Sequence, residues 1–156
     1  MRTLPLLLVL LLATLIPASA GHKEVIQVYM RIHIQTAGAG LPESQAVSVK
    51  IPPNGETIQI RTLPEITERE LVDVKKTTEG IRLVFNHQGS INLNAVTAQN
   101  TGRILVVMIN GVVVYAPLID QQISSGYLDI PHEINPQVVQ LLKDTAATNI
   151  VNANKK

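Results

Sequence analysis

The stretch Arg103 to Ile119, RILVVMINGVVVYAPLI, is aliphatic or Met everywhere except at Arg103, Asn110-Gly111, Tyr115 and Pro117. Asn-Gly between two β-branched runs suits a two-residue type I′ hairpin turn, because both central residues must take positive φ. Each run is short, so each is expected to be a strand rather than a helix. Neither run alternates apolar with polar residues, which implies cover on both faces. The hairpin is therefore expected at the centre of a sheet.

Upstream, VIQVYMRIHI (Val25 to Ile34) alternates cleanly. Ile26, Val28, Met30, Ile32 and Ile34 share one face, and Gln27, Tyr29, Arg31 and His33 share the other, which predicts a strand with one buried side. AVSVKIPPNGETIQI then reads as two short strands turning at Pro52-Pro53-Asn54-Gly55. Thr67 and Glu70 fit a capping box, Thr67 as N-cap and Glu70 three residues on. The following ELVDVKKTTEGIRLVFN could extend that helix or form a hairpin turning at Glu79-Gly80. The period-two spacing of Val72 and Val74, then of Ile81, Leu83 and Phe85, favours the hairpin.

HQGSINLNAVTAQNTG is a helix candidate whose stripe would be Ile91, Ala95 and Ala98 with Val96 beside it, stopped at Gly102. Its propensity is mediocre because of Asn92, Asn94 and Thr97, so packing must hold it. Beyond the opening hairpin, GYLDI gives a further strand. Asn135-Pro136 then starts a second helix, Asn as cap and Pro at the first position, with Val138, Val139, Leu141, Leu142 and Ala146 on its apolar side. The order predicts an α+β fold: a mostly antiparallel sheet with two helices packed on one face.

The first twenty residues read as a secretory signal peptide: Arg2, an apolar run from Leu4 to Ile16, and an A-x-A site at Ala18-Ser19-Ala20. The run is shorter than the roughly 20 residues that span a bilayer comfortably, and no other segment approaches that length. Residues 21–148 are expected to form one domain and residues 149–156 a flexible tail. The expected location is periplasmic or secreted.

The chain has 13 Lys and Arg, one of them Arg2 in the leader, against 12 Asp and Glu, so the remainder is formally neutral. That is not the clustered basic face of a nucleic-acid binder. Without cysteine, disulfides, thiolate metal sites and a cysteine nucleophile are excluded. His22, His33, His87 and His132 lie on different segments with no metal-ligand spacing. Ser124-Ser125-Gly126 is not a nucleophile elbow. Glu65, Glu68 and Glu70 suit a helix start, and the AGAG at Ala37 to Gly40 lacks the Lys and helix of a phosphate loop. The sequence gives no catalytic residues, no metal and no cofactor.

Ile81 to Ala147 carries an ordered set of short motifs. Phe85-Asn86-His87-Gln88-Gly89 stands where one family reads F-T-x-E-G, and Val96-Thr97 with Asn100 and Gly102 stands for L-T-x-x-N-x-G. Ile109-Asn110-Gly111 takes the place of L-D-G, with Gly111 nine positions after Gly102. Tyr115-Ala116-Pro117 stands for S-A-P, Ile123-Ser124-Ser125-Gly126 for I-x-G-G, and Asn135 to Ala147 for a closing helix. The segment resembles the head subdomain in the first periplasmic domain of SecD, the protein-export membrane subunit, here read as a stand-alone secreted protein. It departs from the pattern at Asn110 in place of Asp and Ser125 in place of Gly, and SecD continues into membrane helices.

The resemblance implies an exported, non-enzymatic module that touches extended polypeptide. An exposed edge strand could add such a chain through main-chain hydrogen bonds. Tyr115 and Tyr127, flanking a loop that contains Pro117 and Gly126, are the candidate contact residues. Two other classes stand beside it: a structural or assembly subunit that docks on another envelope protein, and a small hydrolase.

Overall fold

The computed structural model describes residues 28–36 and 45–155, so the expected signal peptide lies outside the described residues. In chain order the elements are β1 (Met30–Ile34), β2 (Ala46–Ile51), β3 (Glu56–Arg61), β4 (Ile66–Thr67), a 3-10 turn (Glu68–Glu70), β5 (Leu71–Lys76), β6 (Ile81–Phe85), α1 (His87–Gln99), β7 (Leu105–Ile109), β8 (Val112–Tyr115), β9 (Tyr127–Ile130) and α2 (Pro136–Ala153). This is an α+β fold in which every strand pair is antiparallel.

Local chemistry set the boundaries. Asn110 and Gly111 take φ of 50° and 81°, the left-handed conformation that a type I′ turn requires. Thr67 and Glu70 form the capping box: the Glu70 carboxylate accepts from the Thr67 amide at 2.8 Å, and the Arg69 amide donates to Thr67 Oγ1 at 3.3 Å. The box closes a single 3-10 turn, after which the chain forms the β5–β6 hairpin. Asn86 caps α1 through the Gly89 amide, and Asn135 caps α2 through the Gln137 amide, each at 2.8 Å.

The strands do not make one sheet. They divide into a four-stranded sheet ordered β4-β1-β7-β8, a β2-β3 hairpin, and a three-stranded sheet ordered β5-β6-β9. Only β7 of the opening hairpin is interior; β8 is an outer strand, and Val112 on it is 64% exposed. The doubly apolar character of β7 is explained by what lies on its two sides. Leu105, Val107 and Ile109 join Met30, Ile32 and Ile34 of β1 in the main core, with Leu93 and Val96 of α1, Leu142 and Ala146 of α2, and Leu71, Leu83 and Ile130 from the three-stranded sheet. Val106 faces the opposite way, into a smaller core with Ile51, Ile58 and Ile60 of the β2-β3 hairpin, and Met108 packs against that core.

Three further expectations need correction. In β5 a bulge between Leu71 and Asp73 shifts the register, so Leu71 and Val74, not Val72 and Val74, are buried. On α1 the inward face is Gly89, Leu93, Val96 and Thr97, while Ile91 is half exposed. Thr97 can be buried because its hydroxyl donates to the Leu93 carbonyl at 2.7 Å and accepts from the Ile123 amide at 2.9 Å, which also fastens the loop before β9 to the helix. Finally, α2 continues to Ala153, past the expected start of a flexible tail at residue 149. The Asn149 side chain donates to the Glu68 and Leu71 carbonyls at 2.7 and 2.8 Å, tertiary anchors that offset the poor helix propensity of this Asn-rich end.

Candidate functional site

The first strand alternates as its sequence requires, but its polar side is not simply solvated. Tyr29, Arg31 and His33 face the β2-β3 hairpin, and together with Val47, Val49, Ile60, Arg61, Thr62, Met108, Asn110 and Gly111 they line a groove of about 640 Å³. Its floor is apolar, from Ile60 of the smaller core and from Val49 and Met108, which pack against that core. Tyr29 and Val47 are 48% and 46% exposed. The hairpin turn fixes one end of the groove: the Tyr29 amide donates to Asn110 Oδ1 at 2.9 Å, and the Asn110 amide donates to the Tyr29 carbonyl at 2.8 Å.

The charged groups lining the groove are basic. Arg61 is tied to Glu65 at 3.1 Å, whereas Arg31 is exposed and has no ion-pair partner among the described residues. His33, read from the sequence as part of a solvated face, is only 4% exposed. Its Nδ1 lies 2.9 Å from the Arg61 carbonyl. A carbonyl only accepts, so Nδ1 carries the proton in the neutral ring.

Burial holds the His33 pKa below the ordinary 6.5, the Arg31 charge pushing the same way and the Arg61 carbonyl and Glu65 opposing. The unfolded chain therefore binds the proton more readily than the folded one. His33 thus supports the fold fully above the unfolded pKa, and the support is lost as pH falls below that value toward the folded pKa. His33→Asn keeps an N–H near the Nδ1 position and removes the titration. The variant is expected to lose less unfolding free energy than the parent as pH is lowered from 7 through 6, measured by urea denaturation. Parallel pH profiles would refute the assignment.

The four contact residues named from the sequence lie elsewhere, and none of them lines the groove. Tyr115 ends β8 with its ring 5.9 Å from that of His132; burial, then the Asp129 and Asp120 charges, push its pKa up. Pro117 extends the pairing beyond β8, its carbonyl accepting from the Leu105 amide at 2.9 Å. Gly126 has φ of 76° and a carbonyl that accepts from Phe85, and a Cβ there would sit 2.8 Å from Ser90 Oγ. Tyr127, on the outer strand β9, lies under the Arg82 guanidinium at 3.7 Å, which in turn grips Asp129 through two hydrogen bonds of 2.7 and 2.8 Å. The structure thus gives these residues packing and turn roles on two different sheets.

The groove residues were missed because Tyr29, Arg31 and His33 look like an ordinary polar face. Their one signal was the neighbouring Val47-x-Val49 pattern, which had to cover something. Among the described residues, no group of three or more His, Asp or Glu side chains is placed to hold a metal ion, and no helix is long and apolar enough to cross a membrane. Ser125 Oγ donates to the Tyr127 carbonyl, a local turn contact.

No family model and no curated protein matches the chain. Solved structures do. One, described as a membrane component SecDF that enhances protein export, is 17% identical with a TM-score of 0.56, over 78% of this chain and 63% of that one. Another, SecDF in a super-membrane-facing form, is 19% identical with a TM-score of 0.52, over 78% of this chain and 18% of that one. The chain therefore spans less than two thirds of either. At such identities the likeness is one of fold, and the fold is that of the SecDF first periplasmic domain.

Proposed function

We propose that this chain is a non-enzymatic polypeptide-binding module of the cell envelope, exported to the periplasm or beyond, and that it holds an extended segment in the groove between β1, β7 and the β2-β3 hairpin. The observation that carries the reading is the groove itself. An apolar floor with half-exposed Tyr29 and Val47 at its sides is the kind of concave surface on which a chain can bury alternate side chains. Likeness of fold to a component that enhances protein export supports the same reading. The four residues around the Pro117 loop then serve to hold the sheets in place, and they lie outside the contact surface.

The test is a backbone-amide NMR titration with a permanently unfolded model protein. Shifts are expected at Arg31, Val47, Val49, Met108 and Gly111, with little change at Arg82 or Asp129. Absence of binding by a folded sample at high ligand concentration would remove the proposal. Shifts confined to the β5-β6-β9 sheet would relocate the site and defeat it equally.

A further inference from the structure

We infer that the groove selects extended segments carrying an acidic side chain among apolar residues; this rests on the polypeptide-binding reading above. Charge complementarity favours such a ligand. The chain as a whole balances its charges once the leader is set aside, yet the groove lining contains Arg31, His33 and Arg61 and no Asp or Glu. Of the three, Arg61 already has Glu65 at 3.1 Å, and buried His33 is held toward its neutral form by its surroundings. Arg31 is left: exposed, on β1 between Tyr29 and His33 on the same face, and without an ion pair among the described residues.

A guanidinium beside an apolar floor is suited to a carboxylate, to which it can present two parallel N–H donors. The register fits a peptide. Tyr29, just before β1, and Arg31 and His33 within it fall at every second position, and an extended ligand also presents alternate side chains to one side. A segment could therefore set an acidic residue against Arg31 and apolar residues against Met108, Val47 and Val49. A basic residue at the same place would meet Arg31 as a like charge, which gives discrimination as well as attraction.

The experiment compares three acetylated and amidated peptides of one extended apolar sequence with Glu, Gln or Lys at a single central position. Blocking both ends makes the side chain the only possible carboxylate. Fluorescence anisotropy should show the Glu peptide binding about tenfold more tightly than the Gln peptide, as one charge-assisted hydrogen-bonded contact implies. The Lys peptide should be the weakest, and added salt should shrink the spread. Arg31→Gln, at an exposed position, should leave the unfolding midpoint unchanged and bring the Glu and Gln peptides together.

The failures separate. If no peptide binds, the polypeptide reading itself is lost. If all three bind alike, that reading stands and the acidic preference is overturned. A Glu preference that survives in Arg31→Gln overturns the assignment to this groove, as does binding of a single-chain fatty acid in preference to every peptide.

Discussion

Ile32→Ala is expected to lower the unfolding free energy by about 2–5 kcal/mol, the range for truncating a large aliphatic side chain in a closed core. Ile32 is at 0% exposure in the middle of β1, paired with Ile66 of β4 on one side and Val107 of β7 on the other. Its carbonyl also accepts from the Glu65 amide at 2.8 Å. The lost methyl groups leave a void bounded by two strands on paired backbones, with little freedom to collapse into it. Val112→Ala on the outer strand is the matched control and should stay within about 0.5 kcal/mol. Urea denaturation of both variants checks the pair. Similar losses at the two sites would contradict the placement of β1 inside the sheet and β8 at its edge.

Gly80→Ala is expected to cost about 1–3 kcal/mol or more, as overpacking does, and for a purely steric reason. A Cβ at Gly80 would run into the Ile130 carbonyl oxygen and would come within 2.5 and 2.7 Å of the His132 carbonyl oxygen and amide nitrogen. All three obstacles are backbone, so no side chain can turn aside. The turn also has its own hydrogen bonds, from the Gly80 amide to Thr77 Oγ1 at 3.0 Å and from the Thr77 amide to the Gly80 carbonyl at 2.9 Å. The strain must therefore spread into β6 or β9. Gly55→Ala provides the contrast: nothing lies within 4 Å of a Cβ there, and only its φ of 69° opposes the change. A thermal melt in which Gly80→Ala proves as mild as Gly55→Ala would show that β9 does not lie as close to the β5–β6 turn as described.

The fold is legible in the sequence where a few neighbouring residues settle the conformation. Asn110-Gly111, the Thr67–Glu70 box, the Pro52-Pro53-Asn54-Gly55 turn and the Asn135-Pro136 helix start all formed where expected. It is not legible where the outcome depends on what a surface meets. His33 alternates as a polar-face residue should, yet becomes buried because the β2-β3 hairpin closes over it. The α1 stripe turned from Ile91 to Leu93 and Thr97, since Thr97 can satisfy its hydroxyl within the helix and at the Ile123 amide. The rings of Tyr115 and Tyr127 meet His132 and Arg82, contacts that residue type alone does not reveal. The groove could not be read off because its lining comes from three segments distant in sequence: β1, the β2-β3 hairpin, and β7 with its turn.

By itself the sequence determined the kinds of element, their order, their turns and caps, and hence an α+β class with antiparallel pairing. These follow from backbone preferences and hydrogen bonds spanning a few residues, whose energies hardly depend on the rest of the chain. Only the tertiary structure decided that the strands split into three sheets, that β7 is interior while β8 is an edge, and that a basic-lined groove opens beside Tyr29. Those outcomes turn on which apolar faces find each other. Burial of a face is worth similar free energy against any well-fitting partner, so composition and periodicity say that a face will be covered without saying by what.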